Sequence, residues 1–372
     1  MTKLVLLGAG KIGDAIVHLL SQTGDYQITV ADSDQARLDL IPEKSARRIK
    51  ADIRDAATLK SILTGQDVVL SACPYYLTPV IAAAAKECKV HYLDLTEDVE
   101  STRTVQKLSE GADRAFIPQC GLAPGFISIA AHDVAKRFDE LREVNMRVGA
   151  LPLYPTNALK YNLTWSTDGL INEYCNPCLS IRDGQQIETL PLEEMEHFSL
   201  EGVDYEAFNT SGGLGTLTET LHGKVENLNY KTVRYPGHRD IMKMLVRDLR
   251  LDRRRDLLKD VMEAAIPMTL QDVVLVFVTV SGLKSGRLMQ ETFVRKIYAQ
   301  QVAGKLLSAI QLTTASGICT MVDMLVSGKL PQAGFVKQEQ ASLDDFLANR
   351  FGKYYGNEYT GAPAGKALLA AA

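Results

Sequence analysis

Short apolar segments alternate with amphipathic segments through the first third of the chain. Strands that alternate with helices are typical of a parallel sheet with helices on both faces. The pattern predicts strands at residues 4–7, 27–31, 47–51, 67–72, 90–95 and 115–118, and helices at residues 11–21, 57–63, 77–88 and 99–108. The predicted fold class is therefore α/β, with a doubly wound parallel sheet of the Rossmann type.

The pattern changes after about residue 125, where period-2 segments with hairpin turns become frequent. This change predicts a second, α+β domain with a mixed or antiparallel sheet. Apolar residues at helical spacing (Val302, Leu306, Ile310) predict one long helix over residues 299–327 that returns to cover the first sheet. The predicted domains are residues 1–125, 126–300 and 301–360, and the stretch from Gly361 onward is expected to fray.

Glycines follow the first predicted strand in the spacing of the dinucleotide-binding fingerprint, G-x-G-x-x-G. Gly8 permits a tight turn, Gly10 lets the backbone approach a pyrophosphate, and Gly13 lets the next helix pack close to the strand. The N–H groups at the start of that helix would then face the phosphates. The alternative is an ordinary turn from a strand to a helix, which binds no ligand.

An acid ends the second predicted strand. Asp32 lies 19 positions after Gly13, where the fingerprint places a carboxylate that binds the ribose hydroxyls. No Arg or Lys follows Asp32 until Arg37, and a 2′-phosphate would meet the carboxylates of Asp32 and Asp34. The sequence therefore predicts NAD rather than NADP as the cofactor.

The segments that follow the predicted strands should line one crevice, because ligands of such sheets lie beyond the carboxyl ends of the strands. The residues predicted to bind NAD are Gly8, Ala9, Gly10, Lys11, Ile12, Gly13, Asp32, Asp52, Ile53, Ala72, Cys73 and Pro74.

Composition and charge exclude several other classes of protein. The net charge is −4 with both signs scattered along the chain, so neither nucleic acid nor a membrane is an expected partner. The dispersed cysteines suit reduced thiols, and Lys3 leads straight into a strand rather than into a signal sequence. We therefore expect a cytoplasmic protein. Cys175 and Cys178 form a C-x-x-C pair without a second pair of ligands, so no metal site is predicted.

Several segments of the chain together carry a family resemblance. They are SACPYY at residues 71–76, CGLAPG at 120–125, YNLTWSTDGLINEY at 161–174, TSGG at 210–213 and NYKTVRYPGH at 229–238. With the glycine turn, these segments resemble the saccharopine dehydrogenase (reductase) family, and within it the L-lysine 6-dehydrogenase-like branch. The resemblance implies a Rossmann domain, a substrate domain that also forms a homodimer, and hydride transfer at a carbon–nitrogen bond.

One position departs from the family pattern. Saccharopine reductases have Leu-Asp-Pro-Gly where this chain has Leu-Ala-Pro-Gly, with Ala123 in place of the aspartate that lies at the substrate. This departure fits the lysine dehydrogenase-like branch better than saccharopine.

Amine oxidation requires an anchored substrate and an acceptor for the amine proton. Arg234 is predicted to bind a substrate carboxylate, because guanidinium matches carboxylate in bidentate geometry; the alternative is a surface ion pair. His238, with a reference pKa of about 6.5, is the predicted general base. The other catalytic candidates are Asp94, for which helix capping is an equal alternative, and Tyr75, for which packing is the alternative. The further residues predicted to bind substrate are Trp165, Tyr235, Asn172, Glu173 and Gly125.

Three functions remain open at this point. The first is NAD-dependent oxidation of the side-chain amine of L-lysine or a close amino acid. The product would be 2-aminoadipate semialdehyde, which cyclises to 1-piperideine-6-carboxylate. The second is a saccharopine or carboxynorspermidine reductase, which joins an amine to an aldehyde. The third is an NAD-binding sensor without catalytic activity.

Overall fold

The chain was analysed as a computed structural model that describes residues 1–356. These residues divide into two compact units. The first unit contains Met1–Ile129 and Gln311–Tyr354, and the second contains Ala130–Ile310 with residues 355–356. The predicted fraying after Gly361 concerns residues outside the described range.

The strands of both units are numbered in chain order. They are β1 (Thr2–Leu7), β2 (Tyr26–Asp32), β3 (Arg47–Lys50), β4 (Val68–Ser71), β5 (His91–Asp94), β6 (Ala115–Ile117), β7 (Glu140–Pro152), β8 (Cys178–Arg182), β9 (Gln185–Thr189), β10 (Glu196–Leu200), β11 (Val203–Asn209), β12 (Val225–Arg234), β13 (Asp272–Lys284), β14 (Arg287–Tyr298), β15 (Gln300–Val302), β16 (Lys305–Leu307) and β17 (Gly334–Phe335).

The helices follow the same order. They are α1 (Lys11–Ser21), α2 (Gln35–Asp39), α3 (Ala56–Leu63), α4 (Thr78–Cys88), α5 (Val99–Leu108), α6 (Phe126–Ala135), α7 (Thr167–Cys175), α8 (Leu217–Leu221), α9 (His238–Lys243), α10 (Arg255–Ala265), α11 (Ala309–Val326) and α12 (Leu343–Ala348). Short 3-10 segments lie at Tyr75–Leu77, Leu251–Arg253, Gln338–Gln340 and Gly352–Tyr355, and a π-helical turn at Met244–Asp248 continues α9.

The first unit is built on a seven-stranded parallel sheet in the order β17-β6-β5-β4-β1-β2-β3. This order confirms the predicted Rossmann-type fold, and β3 lies at the edge. The four apolar residues of β1, Leu4 to Leu7, are fully buried because helices cover both faces of a parallel sheet. The strand β17 joins the sheet from the end of the chain, and its two residues were too short a segment to predict.

The second unit is built on a mixed sheet in the order β10-β11-β12-β7-β13-β14, with the hairpin β8–β9 attached to β12. Only β12 and β7 pair in parallel within that main path, so the predicted mixed sheet is confirmed. Alternate residues of β13 show two different faces: Val274, Val276 and Val278 are fully buried, whereas Phe277 and Thr279 on the opposite face are only half-buried. The homodimer expected from the resemblance stays a prediction.

The predicted helix over residues 299–327 is wrong in its first third. Residues 300–307 form the hairpin β15–β16, and the helix α11 begins only at Ala309. Ala303 and Gly304 both have positive φ angles, 46° and 82°, which is the geometry of a two-residue hairpin turn. The carboxylate of Asp272 accepts the N–H groups of Ala309 and Ile310 at 2.6 and 3.0 Å, and so caps the start of α11.

The helix α11 is long and apolar enough, by length and composition, to cross a membrane. However, 78% of its residues are buried inside the protein, as expected for a core helix.

A hydrogen-bonded network ties the returning segment to the rest of the first unit. Asp323 on α11 accepts hydrogen bonds from the Tyr26 hydroxyl (2.6 Å), from Asn349 (2.8 Å) and from Arg350 (2.6 Å). Arg350 also pairs with Asp25 at 2.5 Å. Burial alone would raise the pKa of Asp323, but these hydrogen bonds outweigh it and lower that pKa.

We expect Asp323→Ala to lower the free energy of unfolding by about 2–3 kcal/mol, because it leaves the Tyr26 hydroxyl and the Asn349 amide without their acceptor and removes one of the two carboxylates that Arg350 binds. Urea denaturation followed by circular dichroism measures the change. Lys329→Ala is the matched control, because it removes an exposed ion pair to Asp345 in the same segment and should cost less than about 1 kcal/mol. Equal effects of the two substitutions would contradict a stabilising role for the network.

Candidate functional site

The glycine turn of the first unit has the geometry of a dinucleotide site. A Cβ at Gly8 would lie 2.7 Å from the Ala72 carbonyl oxygen, and one at Gly13 would lie 2.0 Å from the Gly8 oxygen. Protein packing therefore requires both glycines. A Cβ at Gly10, in contrast, would meet no protein atom within 4 Å. The fold alone does not require glycine at position 10, whereas close approach of a phosphate would.

The start of α1 can receive an anion. Gly10 is the N-cap and supplies no side-chain acceptor to the N–H groups of the first turn. Such N–H groups, together with the positive end of the helix dipole, bind phosphate.

The Asp32 carboxylate is fixed at the end of β2. One of its oxygens accepts the Ala9 N–H at 2.7 Å and the other accepts the Asp34 N–H at 2.8 Å. Each oxygen keeps a further lone pair, which a ribose hydroxyl could use. The carboxylate therefore lies against the glycine turn, as the sequence predicted.

The other predicted cofactor residues reach the same edge of the sheet because they follow neighbouring strands. The Ala51 N–H, next to Asp52 and Ile53, donates to the Asp32 carbonyl at 2.9 Å, and the Ala72 N–H donates to the Leu7 carbonyl at 2.8 Å. The residues present therefore fit a bound dinucleotide, while the role of each predicted residue stays a prediction.

Asp94 does not have the surroundings of a catalytic acid. Its side chain is buried, and its oxygens accept hydrogen bonds from the Tyr92 hydroxyl (2.6 Å) and from the N–H groups of Thr96 (3.0 Å) and Gln119 (2.9 Å). Burial raises the pKa of Asp94 to about 6. Asp94 therefore joins the carboxyl ends of β5 and β6 and is not the helix cap of the alternative, since Asp98 is the N-cap of α5. Its predicted catalytic role stays untested.

Two further predicted residues of the first unit, Gly125 and Tyr75, also have contacts that stabilise the fold. Gly125 has a φ of +131°, and a Cβ there would lie 2.2 Å from the Gly121 oxygen, so the turn itself requires glycine. Tyr75 is half-buried, and its ring packs edge-on against Tyr76. Its carbonyl accepts the Ser101 hydroxyl at 3.2 Å. Their predicted roles in catalysis and binding stay untested.

In the second unit, Arg234 is held by a chain of hydrogen bonds. Arg234 Nε donates to the Tyr174 hydroxyl at 3.0 Å, which lies 2.9 Å from His238 Nε2. His238 Nδ1 lies 2.8 Å from the Leu159 carbonyl oxygen. A carbonyl oxygen only accepts, so Nδ1 carries the hydrogen and Nε2 of the neutral ring is an acceptor. The Tyr174 hydroxyl then donates to His238 and accepts from Arg234, so the donor and the acceptor of each hydrogen bond in this chain are defined.

This geometry argues against the predicted role of His238 as the general base. The residue is fully buried, and both of its ring nitrogens are used within the second unit. Burial, and then the positive charge of Arg234, lower the pKa of His238 to about 3. A ring that is neutral and hydrogen-bonded on both sides has no free lone pair for a substrate proton. The geometry therefore favours a positioning role toward Arg234 over the predicted role of general base, which stays untested.

Arg234 is a buried cation with one unused end. Only 2% of the residue is exposed, and its Cζ lies 5.0 Å from the ring centre of Tyr161 and 5.9 Å from that of Tyr174. Nη1 donates to the Val233 carbonyl at 2.8 Å, but Nη2 donates to no group within residues 1–356. Burial alone would lower the pKa of Arg234, yet neighbouring Tyr174, Tyr161 and Glu173 raise it, so the guanidinium stays charged.

A second carboxylate holds the turn after Arg234. Glu206 lies opposite Arg234 in the β11–β12 pair and is buried. It accepts the Gly237 N–H at 2.8 Å and the Arg239 N–H at 2.6 Å. A carboxylate at the start of a helix is stabilised by the helix dipole. Glu206 therefore fixes the turn that places His238 at the start of α9.

Buried polar atoms without partners lie on the segment that packs against Arg234. The Tyr161 hydroxyl, Asn162 Oδ1 and Thr164 Oγ1 make no hydrogen bond of good geometry within the described chain. Unpaired buried polar groups are costly, and a polar ligand is one way to satisfy them.

The remaining predicted substrate residues have mixed surroundings. Trp165 is half-buried against the apolar cluster that contains Tyr161. Asn172 is buried and bonds Arg255 through Oδ1 at 2.9 Å, while its Nδ2 is unpartnered in the described residues. Glu173 is buried on the same helix, α7. Tyr235 stacks on the Tyr205 ring and its hydroxyl donates to the Pro152 carbonyl at 2.9 Å, which supports packing rather than substrate binding.

Sequence reasoning missed Tyr174 and Glu206, which hold Arg234 and the turn after it. Tyr174 lies inside the segment that carries the family resemblance, but its partner is 60 residues away. Glu206 lies on a strand without any motif, so no sequence signal indicated its role.

The fold and the site define the class of protein first: its first unit is an NAD(P)-binding domain of the Rossmann type. The family model described as "Saccharopine dehydrogenase NADP binding domain" matches residues 4–115. The family model described as "Saccharopine dehydrogenase C-terminal domain" matches residues 121–354. The chain therefore belongs to the saccharopine dehydrogenase family.

Individual relatives are distant. Saccharopine dehydrogenase [NADP(+), L-glutamate-forming] from Saccharomyces cerevisiae is 25% identical over 260 residues, which are 65% of this chain and 57% of the relative. The mitochondrial alpha-aminoadipic semialdehyde synthase of Bos taurus is 21% identical over 319 residues, 79% of this chain and 33% of the relative. The chain thus spans between a third and three fifths of the length of these relatives.

A solved structure shares the fold. The apo saccharopine dehydrogenase (L-Glu forming) of Saccharomyces cerevisiae aligns with a TM-score of 0.74 at 17% identity. The alignment covers 96% of this chain and 97% of that chain.

We expect His238 to remain neutral, with its hydrogen on Nδ1, from neutral pH down to about pH 5, because burial and the charge of Arg234 lower its pKa to about 3. Two-dimensional NMR of protein labelled with nitrogen-15 in histidine measures both ring nitrogens, and His238→Gln assigns the signal. The exposed His222, on a neighbouring loop, serves as the internal comparison. A His238 ring that titrates near its reference value of about 6.5 would contradict the positioning role.

Proposed function

We propose that the chain is an NAD-dependent oxidoreductase that oxidises the side-chain amine of L-lysine or a close amino acid. Loss of hydride and a proton turns the side-chain amine of L-lysine into an imine, which water hydrolyses to 2-aminoadipate semialdehyde with release of ammonia. This aldehyde cyclises to 1-piperideine-6-carboxylate with loss of water. The observation that carries the proposal is the buried guanidinium of Arg234, whose Nη2 donates to no group in the described chain. Such a group is suited to a substrate carboxylate.

The division of roles follows from the two units. Asp32, the glycine turn and the start of α1 would hold NAD, which when bound supplies the acceptor for the hydride that leaves the amine-bearing carbon. Arg234 would bind the α-carboxylate, and the buried Tyr161 hydroxyl, which has no partner in the described residues, is a candidate second donor because its ring packs against the guanidinium. Asn172 and Glu173 stay the proposed partners of the substrate's α-amino group.

The amine proton needs an acceptor other than His238. The ring of His238 is neutral and both its nitrogens are hydrogen-bonded, so the amine proton passes to water or to a base dissolved in the solvent. The proposed reaction should therefore be faster at alkaline pH, where more of the substrate amine is already neutral.

One residue of the chain favours lysine over saccharopine as the substrate. Ala123 stands where saccharopine reductases carry an aspartate at the substrate. The curated yeast relative is a saccharopine dehydrogenase, so a saccharopine or carboxynorspermidine reductase is the second candidate.

An assay with L-lysine and NAD alone separates these candidates. We expect NADH to form without glutamate or 2-oxoglutarate, with a rate that rises toward alkaline pH. Formation of NADH only from saccharopine, or consumption of NADPH only when an aldehyde and an amine are both supplied, would identify the second candidate. Binding of NAD without turnover of any amino acid or polyamine would identify a sensor.

We expect Arg234→Ala to lower kcat/KM for L-lysine by about 100- to 1,000-fold, mostly through KM, because loss of a buried charge partner costs about 2–5 kcal/mol. The affinity for NADH should change little, because the residues predicted to bind the nucleotide all belong to the first unit. Arg182→Ala removes an exposed arginine of the same unit, paired with Glu194, and is the control. A normal KM in a folded Arg234→Ala variant would remove the assigned role.

A further inference from the structure

Two arginines of the first unit lie beside the segments that hold Asp32, and each is paired with its own acid. Arg37 Nε lies 3.3 Å from Asp34 Oδ2. Arg54 binds Asp52 more closely, with Nη2 2.6 Å from Oδ2 and Nε 2.9 Å from Oδ1. Both pairs are at the surface, with side chains about half exposed or more.

Both pairs are linked to Asp32 through the backbone. The Asp34 N–H donates to an Asp32 carboxylate oxygen at 2.8 Å. The Ala51 N–H donates to the Asp32 carbonyl at 2.9 Å, and Asp52 is the next residue. Both arginines therefore belong to segments whose backbone is bonded to Asp32, the residue that the proposed function assigns to the ribose hydroxyls of NAD.

We propose that Asp34 and Asp52 are specificity-determining residues, because they neutralise Arg37 and Arg54 and so mask a latent site for the 2′-phosphate of NADP. The inference rests on the proposed use of NAD. It extends that use from Asp32, which meets the ribose, to two acids that act through neighbouring arginines.

The charges explain the masking. Asp34 and Asp52 cancel the charges of Arg37 and Arg54, so the two pairs offer no net attraction to a phosphate dianion. Phosphate is bound well by guanidinium forks, but the fork of Arg54 already faces a carboxylate. The hydrogen bonds of this pair lower the pKa of Asp52 to about 2, so its charge is kept at every working pH.

The masks are weak enough to remove without damage to the fold. Exposed ion pairs contribute little to stability. Asp34 also caps α2, since its Oδ1 accepts the Ala36 N–H at 2.9 Å, and Asp52 Oδ1 accepts the Arg54 N–H at 3.0 Å. An asparagine keeps an acceptor oxygen at both positions while it removes the negative charge.

The test is the ratio of the dissociation constants for NADH and NADPH, measured on the full chain by fluorescence of the reduced nicotinamide. In the double variant Asp34→Asn/Asp52→Asn we expect this ratio to shift toward NADPH by about 10- to 100-fold, because charge-assisted hydrogen bonds to the phosphate become available. The shift should shrink as salt is added. It should also disappear when Arg37→Ala and Arg54→Ala are added to the double variant.

The double variant Asp39→Asn/Glu43→Gln is the matched control, because it also removes two negative charges. Asp39 and Glu43 are exposed and both pair with Arg48, so this control releases neither Arg37 nor Arg54. An effect of net charge alone would move the ratio in this control as well.

The outcomes separate the inference from the proposed function. Wild-type protein that prefers NADPH overturns the proposed use of NAD, and the inference with it. Wild-type protein that prefers NADH, together with an unchanged ratio in the double variant, overturns the inference alone. An equal shift in Asp39→Asn/Glu43→Gln also overturns it, because the effect would then be one of net charge.

Discussion

The account depends on the orientation of one buried guanidinium. Tyr174, His238 and the Leu159 carbonyl form a chain of hydrogen bonds in which each donor and acceptor is defined. Within the described residues, this arrangement leaves only Nη2 of Arg234 for a ligand. A buried cation is stable only with partners. Here the tyrosine rings and Glu173 keep the guanidinium charged without using its free end. The substrate carboxylate of the proposed reaction completes this set.

The glycine turn of the first unit likewise combines groups that are fixed by the protein with space that the protein leaves open. Gly8 and Gly13 are required by packing within the protein, whereas the space around Gly10 is open. The Asp32 carboxylate is held by two backbone N–H groups, so it is oriented before any ribose arrives. Each unit thus holds one charged side chain in a fixed orientation, Asp32 in the first and Arg234 in the second.

The sequence was sufficient where the interaction is local. The glycine spacing, the following helix and Asp32 lie within 25 residues of one another, and all appear where the pattern predicts them. The sequence was insufficient for His238, because it shows neither the burial of this residue nor its hydrogen-bond partners, which are far away along the chain. It also failed at residues 300–307, where helical spacing of apolar residues coincides with a hairpin whose turn is set by two positive φ angles. Contacts such as Tyr174 with Arg234, or Asp272 with α11, join residues too far apart for any local pattern to show.

The most direct measurement is a crystal structure with L-norleucine, which keeps the amino-acid group of lysine and lacks its side-chain amine. The account predicts a carboxylate oxygen of the ligand within hydrogen-bond distance of Arg234 Nη2, with the contacts from Arg234 through Tyr174 to His238 unchanged. A ligand carboxylate bound elsewhere, or a His238 nitrogen bonded to the ligand instead of to Tyr174, would contradict it.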